Sequence, residues 1–276
     1  MNLFDQMMSR YEIQTNNDYT NALHEVMQQV TLTGLHRGGF FDKAAFYGGT
    51  CLRIFHGVHR FSEDMDFSLL QSDESFMLEN YFESIISEFN ALGRNVVINR
   101  KIKKNESNVE SAFLKDDTAI YNLQFTTEHA IKIKIEVDIN PPLGFSTESK
   151  LLLLPYSFMT RCYTLPDLYA GKMHALLFRN WKNRVKGRDW YDFEWYVRNN
   201  VALDFKHLCE RTYQFGSLKD GELTQYNFKL LLKEKISHTN IELVKADVKP
   251  FIKNPQEMDI WSTDYFMQLV DMIRFE

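Results

Sequence analysis

The sequence has few of the residues that cross-link small proteins or break regular structure. It contains 3 cysteines, 6 prolines and 12 glycines in 276 residues. The cysteines are widely spaced, at positions 51, 162 and 209, which excludes a disulfide framework and the paired spacing of a zinc site. We expect them to be reduced, as in a cytoplasmic protein.

Long hydrophobic runs and repeats are also missing. The longest aliphatic run is Leu151–Leu154, far shorter than the roughly 20 residues that a helix needs to cross a bilayer. We therefore expect no membrane partner. Hydrophobic residues make up 44% and charged residues 25%, which excludes a disordered or collagen-like chain. A chain of this length can bury one large core or two modest ones.

The net charge is only −5, from 32 Lys and Arg residues against 37 Asp and Glu residues. Two short segments are nevertheless basic and contain no acid. Their cations are Arg94, Arg100, Lys101, Lys103 and Lys104 in the first, and Arg179, Lys182, Arg184, Lys186 and Arg188 in the second. Because local patches decide whether a polyanion can bind, both segments are candidate contacts for one.

The hydrophobic pattern changes its character near residue 163. Before this point it predicts helices over 17–36, capped by Asn17 or Asp18, and 76–92, and strands over 44–47, 65–70, 96–102, 119–126 and 130–139. One more strand is expected within 151–164, and from Pro166 the pattern is mainly helical. The predicted fold class is α+β: a mixed sheet with flanking helices in residues 1–163, followed by a mainly α-helical domain in residues 164–276.

A glycine pair follows the first predicted strand and leads into a short helix over 50–56. Glycine admits a positive φ and lets the backbone approach a phosphate closely. The free N–H groups and the dipole at the start of a helix favour an anion, and Thr50 adds a hydroxyl donor. Gly48, Gly49 and Thr50 are therefore candidate ligands of a polyphosphate.

Fourteen positions beyond Thr50 comes the sequence Asp64-Met65-Asp66. Alternate residues of a strand share a face, so the two aspartates project side by side while Met65 points into the core. Adjacent carboxylates are costly without a cation, and Mg²⁺ prefers carboxylate and phosphate oxygens. A hairpin turn and a solvated strand face would explain each pattern alone. Their order and spacing together favour a site at which metal and phosphate meet.

A third carboxylate would complete a two-metal site. Glu136 and Asp138 lie on the polar face of the strand predicted over 130–139, with apolar residues opposite. Either could reach the face of Asp64 and Asp66 from a neighbouring strand. The alternative is an exposed polar face that carries Lys–Glu pairs, and the sequence leaves these possibilities open.

A second group of charged residues follows Pro166. Lys172 and Arg179 are two turns apart on one helix face, from which they could contact triphosphate oxygens. Asp189 and Asp192 begin the next predicted helix. The alternatives are a solvated lysine and an acid favoured by the helix dipole. We expect Lys172→Ala to lose activity with little change in thermal stability.

The segment Gly48–Phe67 reads GGTCLRIFHGVHRFSEDMDF and resembles the signature of the AbiEii/AbiGii-type nucleotidyltransferase toxins. These include the MenT-like enzymes and belong to the polymerase-β nucleotidyltransferase superfamily. A second, looser resemblance joins Lys172 and Arg179 to the sequence Arg188-Asp189 and to Asp192. Together the resemblances cover about residues 18–200.

The resemblance implies a nucleotidyltransferase core in residues 1–163 and a cytoplasmic bacterial toxin. Such a toxin uses Mg²⁺ to transfer a nucleotide from an NTP to an RNA, at the tRNA 3′ end in MenT-like members, and has an antitoxin partner. It implies nucleotide binding by Gly48, Gly49, Thr50, Arg53, Lys172 and Arg179. It implies metal binding by Asp64, Asp66 and Glu136, and catalysis by these acids, Asp138, Lys172 and Asp189.

Other functions fit parts of the same pattern. A nucleotidyltransferase that modifies small molecules such as antibiotics would need the same metal face but an acidic pocket for a cationic substrate. A non-catalytic nucleotide-binding protein could keep the glycine turn and lose a carboxylate. A kinase-like enzyme would release a nucleoside diphosphate instead of pyrophosphate. The basic segments and the retained acids favour transfer to RNA.

Overall fold

The computed structural model describes residues 2–100, 118–126, 132–179 and 185–276. The chain divides into two compact units. Unit 1 comprises Met1–Gly57, Phe61–Pro141 and Thr147–Cys162, and unit 2 comprises Val58–Arg60, Pro142–Ser146 and Tyr163–Glu276. The predicted domain boundary between residues 163 and 164 stays a prediction, and two short segments that precede it belong to unit 2.

Unit 1 consists of a mixed sheet with helices packed against it. Its helices are α1 (Leu3–Met8), α2 (Asn16–Arg37), α3 (Gly48–His56) and α4 (Phe82–Ala91). Its strands are β1 (Ala44–Tyr47), β2 (Met65–Leu69), β3 (Val96–Arg100), β4 (Thr118–Phe125), β5 (Lys132–Asp138), β6 (Thr147–Leu152) and β7 (Phe158–Tyr163). The strand order is β3-β4-β5-β2-β1-β7-β6, which places β2 in the middle of the sheet.

Strand β2 has a different kind of neighbour on each side. It pairs antiparallel with β1 and parallel with β5. Along β5 the apolar side chains Ile133, Ile135 and Val137 are fully buried, so its alternate, polar residues share the opposite face. The structure therefore confirms the mixed sheet and the fold class that the sequence predicts.

Three local differences from the predicted elements have physical explanations. Helix α2 begins after Thr15, which forms a reciprocal capping box with Asp18 and so replaces the predicted caps. The predicted helix 76–92 is α-helical only from Phe82, because a 3₁₀ turn over Leu78–Tyr81 leads into α4. The expected strand within 151–164 is two strands, β6 and β7, with Pro155 between them.

Unit 2 is mainly helical, as predicted. Its helices are α5 (Leu165–Phe178), α6 (Gly187–Arg198), α7 (Phe205–Gln214), α8 (Gln225–Ser237), α9 (Ile241–Val248) and α10 (Thr263–Met272), with a short strand pair β8 (Ala202–Leu203) and β9 (Arg274–Phe275). Pro166 is the second residue of α5. Among the described residues of the whole chain, no helix combines the length and the apolar character needed to cross a membrane.

Candidate active site

The glycine turn lies directly beside the paired aspartates. Gly48 begins α3 with a φ of +79°, and the β1–β2 register sets Tyr47 opposite Asp66. A Cβ atom built on Gly48 would lie 3.0 Å from the Cγ atom of Asp66. The left-handed backbone and this close approach both require glycine at position 48. Two motifs that are separated in the sequence therefore meet where β1 ends beside the start of β2.

The two aspartates are held on the same side of β2. Met65 is fully buried, whereas Asp64 and Asp66 on either side of it are half-buried. The Thr50 hydroxyl donates a hydrogen bond to the backbone carbonyl of Asp64. Thr50 itself is completely buried, so this bond fixes the start of α3 to the start of β2. Its predicted contact with a nucleotide stays a prediction.

The chain just before Asp64 is anchored by helix α2. The Gln28 side chain donates hydrogen bonds of 2.9 and 3.0 Å to the backbone carbonyls of Ser62 and Glu63. Gln28 is fully buried, and a carbonyl that is bound in a dry environment has little freedom to move. Helix α2 therefore contributes to the rigid placement of the Asp64 backbone.

Arg53 is also engaged within unit 1. Its guanidinium pairs with Glu25 at 2.8 Å and lies 4.5 Å from the centre of the Phe61 ring. These contacts tie α3 to α2 and to the segment that leads into β2. The nucleotide contact that the resemblance implies for Arg53 stays a prediction.

The β2–β5 register orders the two candidates for the third carboxylate. Asp66 is directly opposite Glu136, whereas Asp138 is one step further along the strand, opposite Ser68. Asp138 also accepts a hydrogen bond of 3.2 Å from the backbone N–H of Asn140. The register therefore favours Glu136 as the partner of the aspartates, and its role as a metal ligand stays a prediction.

A lysine accompanies these acids. Lys134 Nζ lies 2.5 Å from Glu136 Oε1. Within the described ranges, no three His, Cys, Asp or Glu side chains already form a group that could hold a metal ion. The donor chemistry nevertheless fits Mg²⁺, because Asp64, Asp66 and Glu136 offer hard carboxylate oxygens on neighbouring strands.

Unit 2 contains a second charged cluster, which is deeply buried. Lys172 Nζ lies 2.7 Å from Asp189 Oδ1 and 2.9 Å from Asp192 Oδ2. Arg60 donates hydrogen bonds of 2.5 Å from Nε to Asp192 Oδ1 and from Nη2 to Asp192 Oδ2. The Lys172 side chain is only 13% exposed, so the alternative of a solvated lysine is wrong. Two cations and two anions compensate each other in this buried quartet.

The quartet keeps Asp189 ionised. Burial raises the pKa of this carboxyl, but the positive charges of Lys172, Lys186 and Arg179 outweigh burial and lower it to about 2. Asp189 therefore accepts hydrogen bonds at neutral pH and holds the Lys172 ammonium in place. Arg179 is exposed at the end of α5 and acts on Asp189 only through its field. The contacts of Lys172 and Arg179 with a triphosphate stay predictions.

Residues 31–273 match the family described as the nucleotidyl transferase AbiEii toxin of a type IV toxin–antitoxin system. This match spans most of the sequence. The chain belongs to the AbiEii toxin family. It is therefore a nucleotidyltransferase and a toxin, and the predicted family and enzyme class are confirmed. Membership also implies a nucleotide substrate and an antitoxin.

Solved structures show a similar fold. MenT4, a nucleotidyltransferase toxin from Mycobacterium tuberculosis H37Rv, is 14% identical, with a TM-score of 0.57 over 97% of this chain and 86% of its own. JHP933 from Helicobacter pylori is 17% identical, with a TM-score of 0.51 over 91% of this chain and 89% of its own. At such identities the likeness concerns the fold alone. No curated protein matches this chain in sequence.

Several cations of the two basic segments of this AbiEii toxin contact neighbouring side chains. In the first, Arg94 lies over the Phe4 ring, 4.4 Å from its centre, and Arg100 is 3.6 Å from Glu79. In the second, Arg188 lies over the Phe251 ring. Lys101, Lys103, Lys104, Lys182 and Arg184 lie outside the described residues.

A cavity of about 330 Å³ lies within unit 2. It is bordered by the end of α5, the start of α6, the end of α8 and the start of α9. Its basic lining residues are Arg179, Lys186, Lys235 and His238. Asp189 is the acid among its lining residues, and Lys172 already compensates that charge. Sequence analysis missed Lys235 and His238, because only the folded chain brings α8 to Arg179.

Alanine at position 48 is expected to damage the site beyond its effect on stability. Gly48 and Gly57 both have a positive φ, so Gly→Ala at either should lower the free energy of unfolding by about 1–2 kcal/mol. Only Gly48 packs against Asp66, since nothing lies within 4 Å of a Cβ at Gly57. Nucleotide transfer should fall about a hundredfold in Gly48→Ala and stay near wild type in Gly57→Ala. Equal losses in both variants would contradict this geometry.

Removal of the Lys172 charge is expected to destabilise unit 2, which corrects the expectation of little thermal effect. Lys172→Met removes the ammonium that Asp189 and Asp192 share in a buried place, at a cost of about 3–5 kcal/mol in chemical denaturation. Lys233→Met is the control, because Lys233 forms an exposed pair with Asp271 and should lose less than about 1 kcal/mol. A similar small loss in Lys172→Met would show that the quartet is not structural.

Low pH should remove the contribution that ionised Asp189 makes to the stability of unit 2. The pKa of Asp189 in the folded protein is about 2, below the value of about 3.9 in an unfolded chain. Its contribution to stability is therefore present above roughly pH 4 and is lost as the pH falls toward 2.

Proposed function

We propose that this AbiEii toxin uses a divalent metal, Mg²⁺, to transfer a nucleotide from an NTP to an RNA, with the tRNA 3′ end as the acceptor. The observation that carries the proposal is that Gly48, at the start of α3, lies against Asp66, which faces Glu136 on the adjacent strand. This arrangement sets a backbone suited to a polyphosphate next to oxygens suited to a cation. Because its substrates are cytoplasmic, the toxin acts in the cytoplasm, where its antitoxin restrains it.

The triphosphate would bind at the start of α3. The positive φ of Gly48 turns the chain sharply from β1 into this helix. The first N–H groups of a helix have no partner within it and, with the helix dipole, favour a phosphate. Gly48 and Gly49 add no side chain that would keep the phosphate away. Thr50 supports this turn through its bond to Asp64.

Asp64, Asp66 and Glu136 would hold the metal. When bound, Mg²⁺ neutralises triphosphate oxygens and acidifies an acceptor hydroxyl. The protein contributes a rigid platform: Gln28 and Thr50 fix the backbone before Asp66, and the β2–β5 pairing fixes Glu136. Rigid placement matters because small displacements of reacting groups are costly in rate. Lys172, held in place by Asp189, remains part of the proposed catalytic set.

The cavity of unit 2 supports RNA as the acceptor. Arg179, Lys186 and Lys235 give its lining a positive character that suits backbone phosphates. A cationic small molecule, such as an aminoglycoside, would be repelled by the same lining. The cations of the lining therefore favour a polyanionic acceptor over the antibiotic-modifying alternative.

Labelled nucleotides test the reaction directly. The toxin is incubated with each NTP carrying either an α- or a γ-phosphate label, with Mg²⁺ and with total RNA or an aminoglycoside. We expect the α-label on RNA, and in particular on tRNA, in wild type and only background label in Asp66→Asn. The γ-label on the acceptor would show a kinase, and label on the aminoglycoside alone would show the small-molecule enzyme. Full activity of Asp64→Asn/Asp66→Asn would end the proposal.

The salt dependence of RNA binding tests whether the cavity of unit 2 contacts RNA phosphates. Each phosphate contact made by a cation adds about 1 to the slope of log affinity against log salt. Arg179→Ala/Lys235→Ala should therefore weaken RNA binding and reduce that slope by about 2, as measured by filter binding or fluorescence anisotropy. Lys233→Ala is the control, since this residue of α8 pairs with Asp271 instead of lining the cavity. An unchanged slope in the double variant would place RNA elsewhere.

A further inference from the structure

Charged side chains of β5 and of the segment Asp64–Asp66 share one face at the centre of the sheet in unit 1. Asp64 and Asp66 belong to the β2 side, and Lys134 and Glu136 belong to β5. The parallel register pairs Met65 with Ile135 and Asp66 with Glu136, and its continuation sets Lys134 beside Asp64. One ammonium group therefore stands among three carboxylates, in direct contact with the one that is proposed to complete the metal site.

The electrostatics of Lys134 involve all three acids. Its ammonium group contacts Glu136 directly, and the strand register sets Asp64 and Asp66 on the neighbouring strand. Its positive charge therefore occupies the region where a divalent ion would be attracted most strongly.

Lys134 lowers the negative charge of this group. Its ammonium offsets one of the three carboxylate charges of Asp64, Asp66 and Glu136, and it does so in direct contact with Glu136. The Lys134–Glu136 contact also agrees with the absence, among the described residues, of an assembled group of three metal-binding side chains. Glu136 is already occupied by a cation that belongs to the protein.

We infer that Lys134 is an internal competitor of the metal, which must displace its ammonium from Glu136 in order to bind all three carboxylates. This inference rests on the proposed function, in which those carboxylates hold Mg²⁺. In the nucleotide-free toxin, Lys134 stabilises the acidic face and keeps the affinity for metal low. An NTP brings further negative charge, so full metal binding is coupled to nucleotide binding.

A similar pair elsewhere in the sheet provides a matched control. Lys150 and Glu148 on β6 are also two residues apart, 2.9 Å from each other and comparably exposed. In the strand order, β6 is separated from β2 by β1 and β7. Removing Lys150 therefore breaks the same kind of ion pair without changing the charge beside Asp64 and Asp66.

The test measures binding of Mn²⁺, a spectroscopic substitute for Mg²⁺, to the full-length, nucleotide-free protein by electron paramagnetic resonance and calorimetry. We expect Lys134→Met to bind Mn²⁺ at least about tenfold more tightly than wild type, because a repelling unit charge has been removed. Lys150→Met should bind as wild type does, and Lys134→Arg should keep the weak affinity. Adding Asp64→Asn/Asp66→Asn to Lys134→Met should abolish the gain in Mn²⁺ affinity. That result would show that the gain arises at these two aspartates.

Unchanged affinity in Lys134→Met would overturn the inference, and it would leave the proposed function intact if the wild type still labels RNA. Tighter Mn²⁺ binding together with a wild type that transfers no nucleotide would instead contradict the proposed function. Melting curves in EDTA and in Mn²⁺ control for folding. Lys134→Gln is a second variant that lacks the positive charge. In both Lys134→Met and Lys134→Gln, the inference requires that Mn²⁺ raise the melting temperature by more than it does in wild type.

Discussion

Repulsion between neighbouring carboxylates is the constraint that governs the centre of unit 1. Asp66 has the backbone of Gly48 on one side and the opposing residue Glu136 on the other. Such a face is stable only if cations lie close to it, and Lys134 supplies one beside Glu136. In the proposed function, a metal and, through the metal, a triphosphate add the further compensation.

In the quartet of unit 2, by contrast, the acids pair with cations of the protein itself. Arg60 and Lys172 pair with Asp189 and Asp192, and three of the four side chains are buried while Lys172 is 13% exposed. The first effect of such mutual compensation is to fix the side chains that compose the cluster. The toxin thus combines an acidic face at the centre of the sheet with a charged cluster whose members pair with one another.

Local patterns in the sequence predicted much of the site. The glycine turn, the paired aspartates and the alternation of β5 depend on neighbours within a few residues, and the structure has all three. The pairing of Asp66 with Glu136 joins strands about 70 residues apart, so periodicity could offer Asp138 equally well. The burial of Lys172 likewise depends on its pairing with Asp189 and Asp192 of the next helix, which helix spacing alone could not reveal.

A crystal structure of the toxin with Mn²⁺ and a non-hydrolysable NTP analogue would test the central claim most directly. The account predicts an anomalous Mn²⁺ peak coordinated by oxygens of Asp64 and Asp66 at about 2.0–2.3 Å, with the triphosphate against the backbone of Gly48 and Gly49. Metal and nucleotide bound together at any other place, with both aspartates uninvolved, would contradict it.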